Sequence, residues 1–214
     1  MLHRSIVPEI LDTLAADHPD AVRSRRDLRW LDHFLGGSRW VERTLRKNLP
    51  GSGPRIVELG AGEGLLCERV ARAFPSAIVT GMDLLPRPLR LSKPIQWVSG
   101  DFFQAEEITQ ADIVIGNLIL HHFENSALEN LAARFESARL LVFSEPWRDR
   151  APLYFSRWAG PLVGRVTQHD MPASIRAGFR EGELPAALGL NPRDWNIAES
   201  SRWRGVLRMI AWRT

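Results

Sequence analysis

The chain has 214 residues, 44% hydrophobic and 25% charged, with a formal net charge of +3; this length buries one sizeable core, and no apolar run approaches the ~20 residues that span a bilayer. The single cysteine, Cys67, excludes an intrachain disulfide and a cysteine-built metal cluster; the start, MLHRSIVPEILDTL, lacks the apolar core of a secretion signal, so a reducing, cytoplasmic location is expected. The basic residues are scattered over Arg25, Arg26, Arg29, Arg39, Arg43, Arg46 and Lys47 and again over Arg202, Arg204, Arg208 and Arg213, which disfavours a nucleic-acid partner, whose footprint would lie densely along one element.

Residues 1–50 read as a helical cover. VPEILDTLAADH (7–18) carries apolar residues at helical spacing, with Pro8 suited to a first turn. SRRDLRWLDHFLG opens on Ser24 as N-cap and closes at Gly36-Gly37. SRWVERTLRKNL follows, capped by Ser38. PGSGP, Pro50 to Pro54, then breaks the pattern and separates 1–50 from a domain at 51–214.

Beyond the break, strands and helices alternate. RIVEL (55–59), AIVTGMD (77–83), IQWV (95–98), ADIVIGN (111–117) and RLLVFSE (139–145) read as short apolar strands. GLLCERVARAF (64–74) and SALENLAARFES (126–137) read as helices. Such alternation implies a parallel sheet covered on both faces. Residues 146–180 interrupt it with three prolines after Trp147 and the aromatics Trp147, Tyr154, Phe155, Trp158 and Phe179; they read as a lid insertion, too apolar for an idle loop and too broken for a core helix. A helix from Glu181 to Leu188 and two closing strands, with a turn near Ser200–Trp203, complete the chain. The expected fold is an α/β three-layer sandwich of about seven strands, the last antiparallel. The N-terminal helices and the lid should lie over the carboxyl edge.

RIVELGAGEGLL (55–66) places Gly60, Gly62 and Gly64 between a strand and a helix. Glycines there allow positive φ and close approach of a ligand to the backbone, and the helix N-terminus offers amides. A dinucleotide site spaces its glycines G-x-G-x-x-G. Here Leu65 follows Gly64, and Glu58 would repel a pyrophosphate. A cofactor with a positive centre and an amino-acid head fits better.

VELGAGEG resembles the first motif of class I S-adenosylmethionine-dependent methyltransferases. The resemblance implies a Rossmann-like fold and S-adenosylmethionine as cofactor, with S-adenosylhomocysteine as product and no metal. It also implies that Glu58 holds the methionine moiety while Gly60, Ala61, Gly62 and Gly64 wrap the cofactor. Asp83, ending VTGMD 19 residues past Gly64 (83 − 64), would accept the ribose hydroxyls, with Leu84 beside it. In SGDFF, Asp101 would accept the adenine amino group and Phe102 would pack near the base. In IGNLILHHF, Asn117 and Leu118 would face the cofactor and the methyl-transfer centre.

Methyl transfer is an in-line displacement that needs alignment, exclusion of water and sometimes a base. Base candidates are His121 and His122, after the fourth strand, and His169, beside Asp170 in the lid. Substrate-facing candidates are Glu145, ending the fifth strand, with Tyr154, Trp158, His169 and Arg176. The Asn/Asp-Pro-Pro-aromatic motif of nucleic-acid amino-methylating relatives is missing, since Asn117-Leu118-Ile119-Leu120 stands there; Cys67, inside a helix, reads as core. SRRDLRWLDHFLGGSRWVERTL and RVTQHDMPASIRAGF are loosely similar to bacterial methyltransferases associated with polyketide-type pathways. The resemblance implies a small-molecule acceptor, an oxygen of a phenolic or polyketide-like compound. Methylation of RNA or protein, and a cofactor-binding protein without catalysis, stay open, as does the oligomeric state.

Overall fold

In the computed structural model, residues 3–49, 53–202 and 205–214 are described. Most of the expected Pro50–Pro54 break and the end of the expected Ser200–Trp203 turn lie outside them. Among the described residues, seven strands form one sheet: β1 (Arg55–Leu59), β2 (Ile78–Asp83), β3 (Gln96–Ser99), β4 (Ile113–Asn117), β5 (Leu140–Pro146), β6 (Trp195–Arg202) and β7 (Val206–Arg213). Their order is β3-β2-β1-β4-β5-β7-β6. β1 pairs in parallel with β2 and β4, and only β7 runs against the rest, as expected. The order turns back at β1 and β4, so the crevice at their carboxyl ends is where open α/β sheets take ligands.

The period of two along β1 sends alternate residues to opposite layers. Ile56 faces a core with Ile113, Ile115, Leu140 and Val142, shared with Val41 and Leu45 of α3 (Gly37–Asn48) and Leu66 and Val70 of α4 (Leu65–Ala73). Val57 and Leu59 face a second core with Phe135, Phe143 and Phe179. There α5 (Asn125–Ala132) contributes Leu128 and Leu131, and α8 (Glu183–Ala187) contributes Leu184 and Ala187.

The first helices depart from the sequence reading. α1 covers only Ile10–Thr13, and α2 runs Pro19–Leu35. Proline suits a first helical position, and the His18 ring accepts the Asp20 amide, so the helix starts five residues before Ser24. Ser24 is buried inside it and pairs with Thr167 at 3.0 Å. Gly36, at φ 73°, ends α2 as expected and also precedes α3 directly. Ser38 is therefore no cap; its amide donates to Asp32.

The 146–180 segment is more regular than its prolines imply. It forms α6 (Arg150–Ala159) and a continuous α7 (Arg165–Ala177) with Pro172 inside. An interior proline costs ~3 kcal/mol. Burial of Val166, Ala173 and Ile175 on α7 opposes that cost, at ~1.5–3 kcal/mol for each fully buried large aliphatic side chain. α7 packs against α1, α2 and α6.

Candidate active site

Three glycines make the β1–α4 turn, at φ 63° (Gly60), 55° (Gly62) and 74° (Gly64). The Ala61 amide donates to Met82 O, tying the loop to β2. A Cβ at Gly60 would meet Ile119 at 2.5 Å, whereas one at Gly62 would meet nothing within 4 Å. Gly62 thus borders open space, as does Gly100 after β3.

Acids converge on that space. Glu58 is buried in the layer under α4, where the Cys67 thiol donates to it at 2.9 Å. Burial, reinforced by the Asp83 and Asp32 carboxylates, pushes the Glu58 pKa up to about 8 against the effect of the thiol hydrogen bond. Asp83 accepts the Gly62 amide at 2.7 Å on one oxygen and the Leu85 amide at 2.9 Å on the other. Each of its oxygens keeps a second lone pair. Leu84 beside it is exposed. Asp101 accepts the Phe103 amide on Oδ1, and Phe102 is buried against Phe103 and Phe123.

Asp32, unremarked in the sequence, joins this group from α2. It accepts the Asn117 side-chain amide and the Ser38 amide, each at 3.0 Å. Gly37 makes this approach possible, because a Cβ there would lie 2.2 Å from Asn117 Oδ1. The Gly36-Gly37 pair was the available signal, and it reads from sequence only as a helix end. A buried acid awaiting a cation, open glycines and an acid with spare lone pairs fit a cofactor bearing a positive centre, an amino-acid head and a ribose.

At the end of β4 the backbone is strained. Leu118 sits at φ 61°, where a non-glycine residue costs on the order of 1–2 kcal/mol. The following turn is held by Glu145, which is fully buried. Its Oε1 accepts the Ile119 and Leu120 amides, and its Oε2 accepts the His121 amide and faces His121 Nδ1 at 2.9 Å. All four lone-pair sites of a carboxylate are then in use. Glu145 therefore positions this loop and does not face a substrate.

His121 is enclosed between two carboxylates, Glu145 on Nδ1 and Glu9 on Nε2 at 3.6 Å. Burial opposes its charge, but the hydrogen bonds and charges of Glu145 and Glu9 prevail and raise its pKa to about 9. An imidazolium shielded in this way is no general base. His122 is shifted the other way, by burial and by the charge on His121, and lies 3.6 Å from Asp12.

A cavity of about 100 Å³ opens beside Leu118, enclosed by residues of α1, α2, α6, α7 and the ends of β5 and β7. Leu28, Leu31, Leu35, Phe155, Met171 and Ile175 form much of its apolar wall. The expected substrate-facing residues of the lid point elsewhere. Tyr154 and Trp158 are 63% and 71% exposed and tilt against each other on the outer face of α6. The His169 side chain is 57% exposed, and its Nδ1 lies 2.9 Å from Asp170. Arg176 is also exposed and donates to Pro172 O. The inward face of α7 is Thr167, Asp170, Met171, Ser174 and Ile175. That i, i+3, i+4, i+7, i+8 stripe was legible. On α6 the inward aromatic is Phe155, which continues a stack through Phe34 to Trp30.

The family model for a methyltransferase domain matches residues 23–179. The chain is 28% identical over 167 residues to the malonyl-[acyl-carrier protein] O-methyltransferase of Anoxybacillus flavithermus, covering 75% of this chain and 59% of that protein. It is 35% identical over 133 residues to an uncharacterized methyltransferase of Mycobacterium tuberculosis, covering 55% of this chain and 66% of the other. The chain thus spans less than two thirds of the length of these curated relatives. Among solved structures, the plantazolicin methyltransferase BpumL, in complex with a triazolic desmethylPZN analog and SAH, superposes with a TM-score of 0.74 at 12% identity, covering 95% of this chain and 93% of that one. With a family match across most of its residues and a seven-stranded Rossmann-like sheet of the same fold, the chain belongs to the methyltransferase-domain family, as a class I S-adenosylmethionine-dependent member.

Proposed function

We propose that the chain moves a methyl group from S-adenosylmethionine to an oxygen of a small, largely apolar acceptor of phenolic or polyketide-like type. The observation that carries this reading is the cavity beside Leu118, whose wall is mainly leucine, proline, phenylalanine and methionine. It adjoins the carboxyl ends of β4 and β5, next to the acids around the glycine loop. The O-methyltransferase among the relatives supports the choice of oxygen.

In this reading Glu58 and Asp32 attract the cationic head of the cofactor. Asp83 offers its two remaining lone pairs to the ribose hydroxyls, and Asp101 its free oxygen to the adenine amino group. Phe102 flanks the base, and Gly60, Ala61, Gly62 and Gly64 let the cofactor lie against the backbone. Asn117 and Leu118 border the point where cofactor and acceptor meet. The bound cofactor supplies an electrophilic methyl on its sulfonium; the protein aligns the acceptor and excludes water. The test is incubation with methyl-labelled S-adenosylmethionine and a panel of phenols and aromatic polyketides. The expected result is an acceptor heavier by one methyl, with S-adenosylhomocysteine released. Label appearing only in RNA or protein overturns the reading.

A further inference from the structure

We propose that Glu9 is the acceptor-facing carboxylate of this cavity, and that it selects an apolar molecule bearing a hydroxyl while rejecting one bearing a carboxylate. This rests on the oxygen-methylating reading above and adds to it the residue that receives the acceptor's proton. Five polar side chains line the cavity: Glu9, Ser24, Thr167, Asp170 and Ser174. Four are occupied by structural bonds. Asp170 accepts the Ile10 and Leu11 amides on its two oxygens, and His169 adds a third contact. Ser24 and Thr167 bond each other, and Thr167 also reaches Asp27. The Ser174 hydroxyl donates to Glu9 Oε1.

Glu9 differs. Its Oε1 takes the Ser174 hydroxyl and lies 3.6 Å from His121 Nε2. Its Oε2 accepts no hydrogen bond among the described residues, although the side chain is only 13% exposed. This oxygen keeps access to the cavity and free lone pairs, so a ligand hydroxyl can donate to it. Burial opposes its ionisation, but hydrogen bonding and charge from His121 and His122 outweigh it and lower its pKa, so the cavity carries a negative charge. No lysine or arginine among the described residues lines the cavity. A carboxylate acceptor would meet the like charge of Glu9, and the nearby His121 charge is already shared between Glu9 and Glu145, whereas a hydroxyl would donate to Glu9.

The step balances. The acceptor oxygen forms the new bond to the methyl carbon as the carbon–sulfur pair returns to sulfur, leaving a neutral thioether. The hydroxyl proton passes to Glu9 and from there to solvent. His121, already protonated, stabilises the Glu9 carboxylate and does not itself take the proton.

The experiment compares 4-methylphenol with 4-methylbenzoate, two ligands with one ring body, by titration into the protein saturated with S-adenosylhomocysteine. The phenol should bind at least tenfold tighter to the wild type. In Glu9→Gln that preference should fall below threefold, with affinity for S-adenosylhomocysteine and melting temperature as folding checks. Methyl transfer to the phenol should fall at least 100-fold, the lower end of what a general base contributes. Glu9→Asp, which keeps a carboxylate, should keep the direction of the preference. Failure of the phenol to out-bind the benzoate in the wild type overturns the proposal, as does an unchanged preference or turnover in Glu9→Gln. The binding contrast is read without turnover. Absence of transfer with the contrast intact therefore strikes the oxygen-methylation reading, and loss of the contrast with transfer intact strikes this one.

Discussion

His121 Nδ1 lies 2.9 Å from Glu145 Oε2, and both side chains are buried. The same carboxylate holds three consecutive amides, from Ile119 to His121, so one side chain fixes both the turn after β4 and the charge on the imidazole. Glu145→Ala should destabilise the protein by ~3–5 kcal/mol, the usual cost of leaving a buried charge without its partner. Denaturant unfolding measures this. Glu145→Gln, which still accepts hydrogen bonds on one atom, should cost less.

His121 also makes stability fall with rising pH. Its pKa is about 9 in the folded protein against an ordinary 6.5. A raised value means the folded state holds the proton more tightly, so the contribution is fully present below 6.5 and is lost as pH rises through about 9. Melting temperature between pH 7 and 10 should drop more steeply in the wild type than in His121→Gln. Equal slopes would remove the imidazolium from this account.

Glu58 couples cofactor binding to protons. Its pKa is about 8 in the free protein, above the ordinary 4.5. A cationic ligand beside it favours the ionised form, so binding below pH 8 should release a proton. Affinity for S-adenosylmethionine should rise from pH 6 to 8 and then level off. Calorimetry in buffers of different ionisation heat reads the released proton, and Glu58→Gln should abolish it.

Gly62→Ala separates room for the fold from room for the cofactor. No protein atom lies within 4 Å of the added Cβ, and the residue stays at φ 55°. The backbone strain should cost ~1–2 kcal/mol of stability. Cofactor affinity should fall more than tenfold, beyond ~1.4 kcal/mol, because the methyl occupies the approach to the loop. Unchanged affinity would put the cofactor elsewhere.

On the lid, inward and outward residues should behave differently. Phe155→Ala and Met171→Ala remove cavity wall and should raise KM for the acceptor severalfold. His169→Ala and Trp158→Ala alter exposed faces and should leave KM within about twofold, or ~0.4 kcal/mol. Steady-state kinetics with one acceptor decides. A large effect of Trp158 alone would mean that the outer face of α6 takes part in binding.

The β1–α4 turn and its acids were legible because the signals are local: Gly60, Gly62 and Gly64 need positive φ, and Glu58 and Asp83 sit at strand ends beside them. The strand pattern fixed the sheet direction for the same reason. What escaped was set by distant partners. α1 is four residues long and leans on Asp170 of α7, so its apolar spacing overstated it. Glu145 resembled a pocket acid because its partners are amides 24 to 26 positions away. Tyr154, Trp158, His169 and Arg176 stand out by residue type, whereas helical phase points to Phe155, Met171 and Ser174. For Asp32 the Gly36-Gly37 pair reads only as a helix end, because the partner that gives it meaning, Asn117, is 85 positions away.

The segment from Arg4 to Thr13 also sets an order of assembly. Arg4 reaches Ala177 O across 173 positions, and the Ile10 and Leu11 amides reach Asp170 across 160 and 159. The glycine loop, by contrast, closes on Asp83 across only 21. Contacts so remote form after local ones, because the loop-closure entropy comes first. During refolding the glycine loop therefore closes on Asp83 while the cavity is still open, and the Arg4–Thr13 segment that roofs it is fastened last.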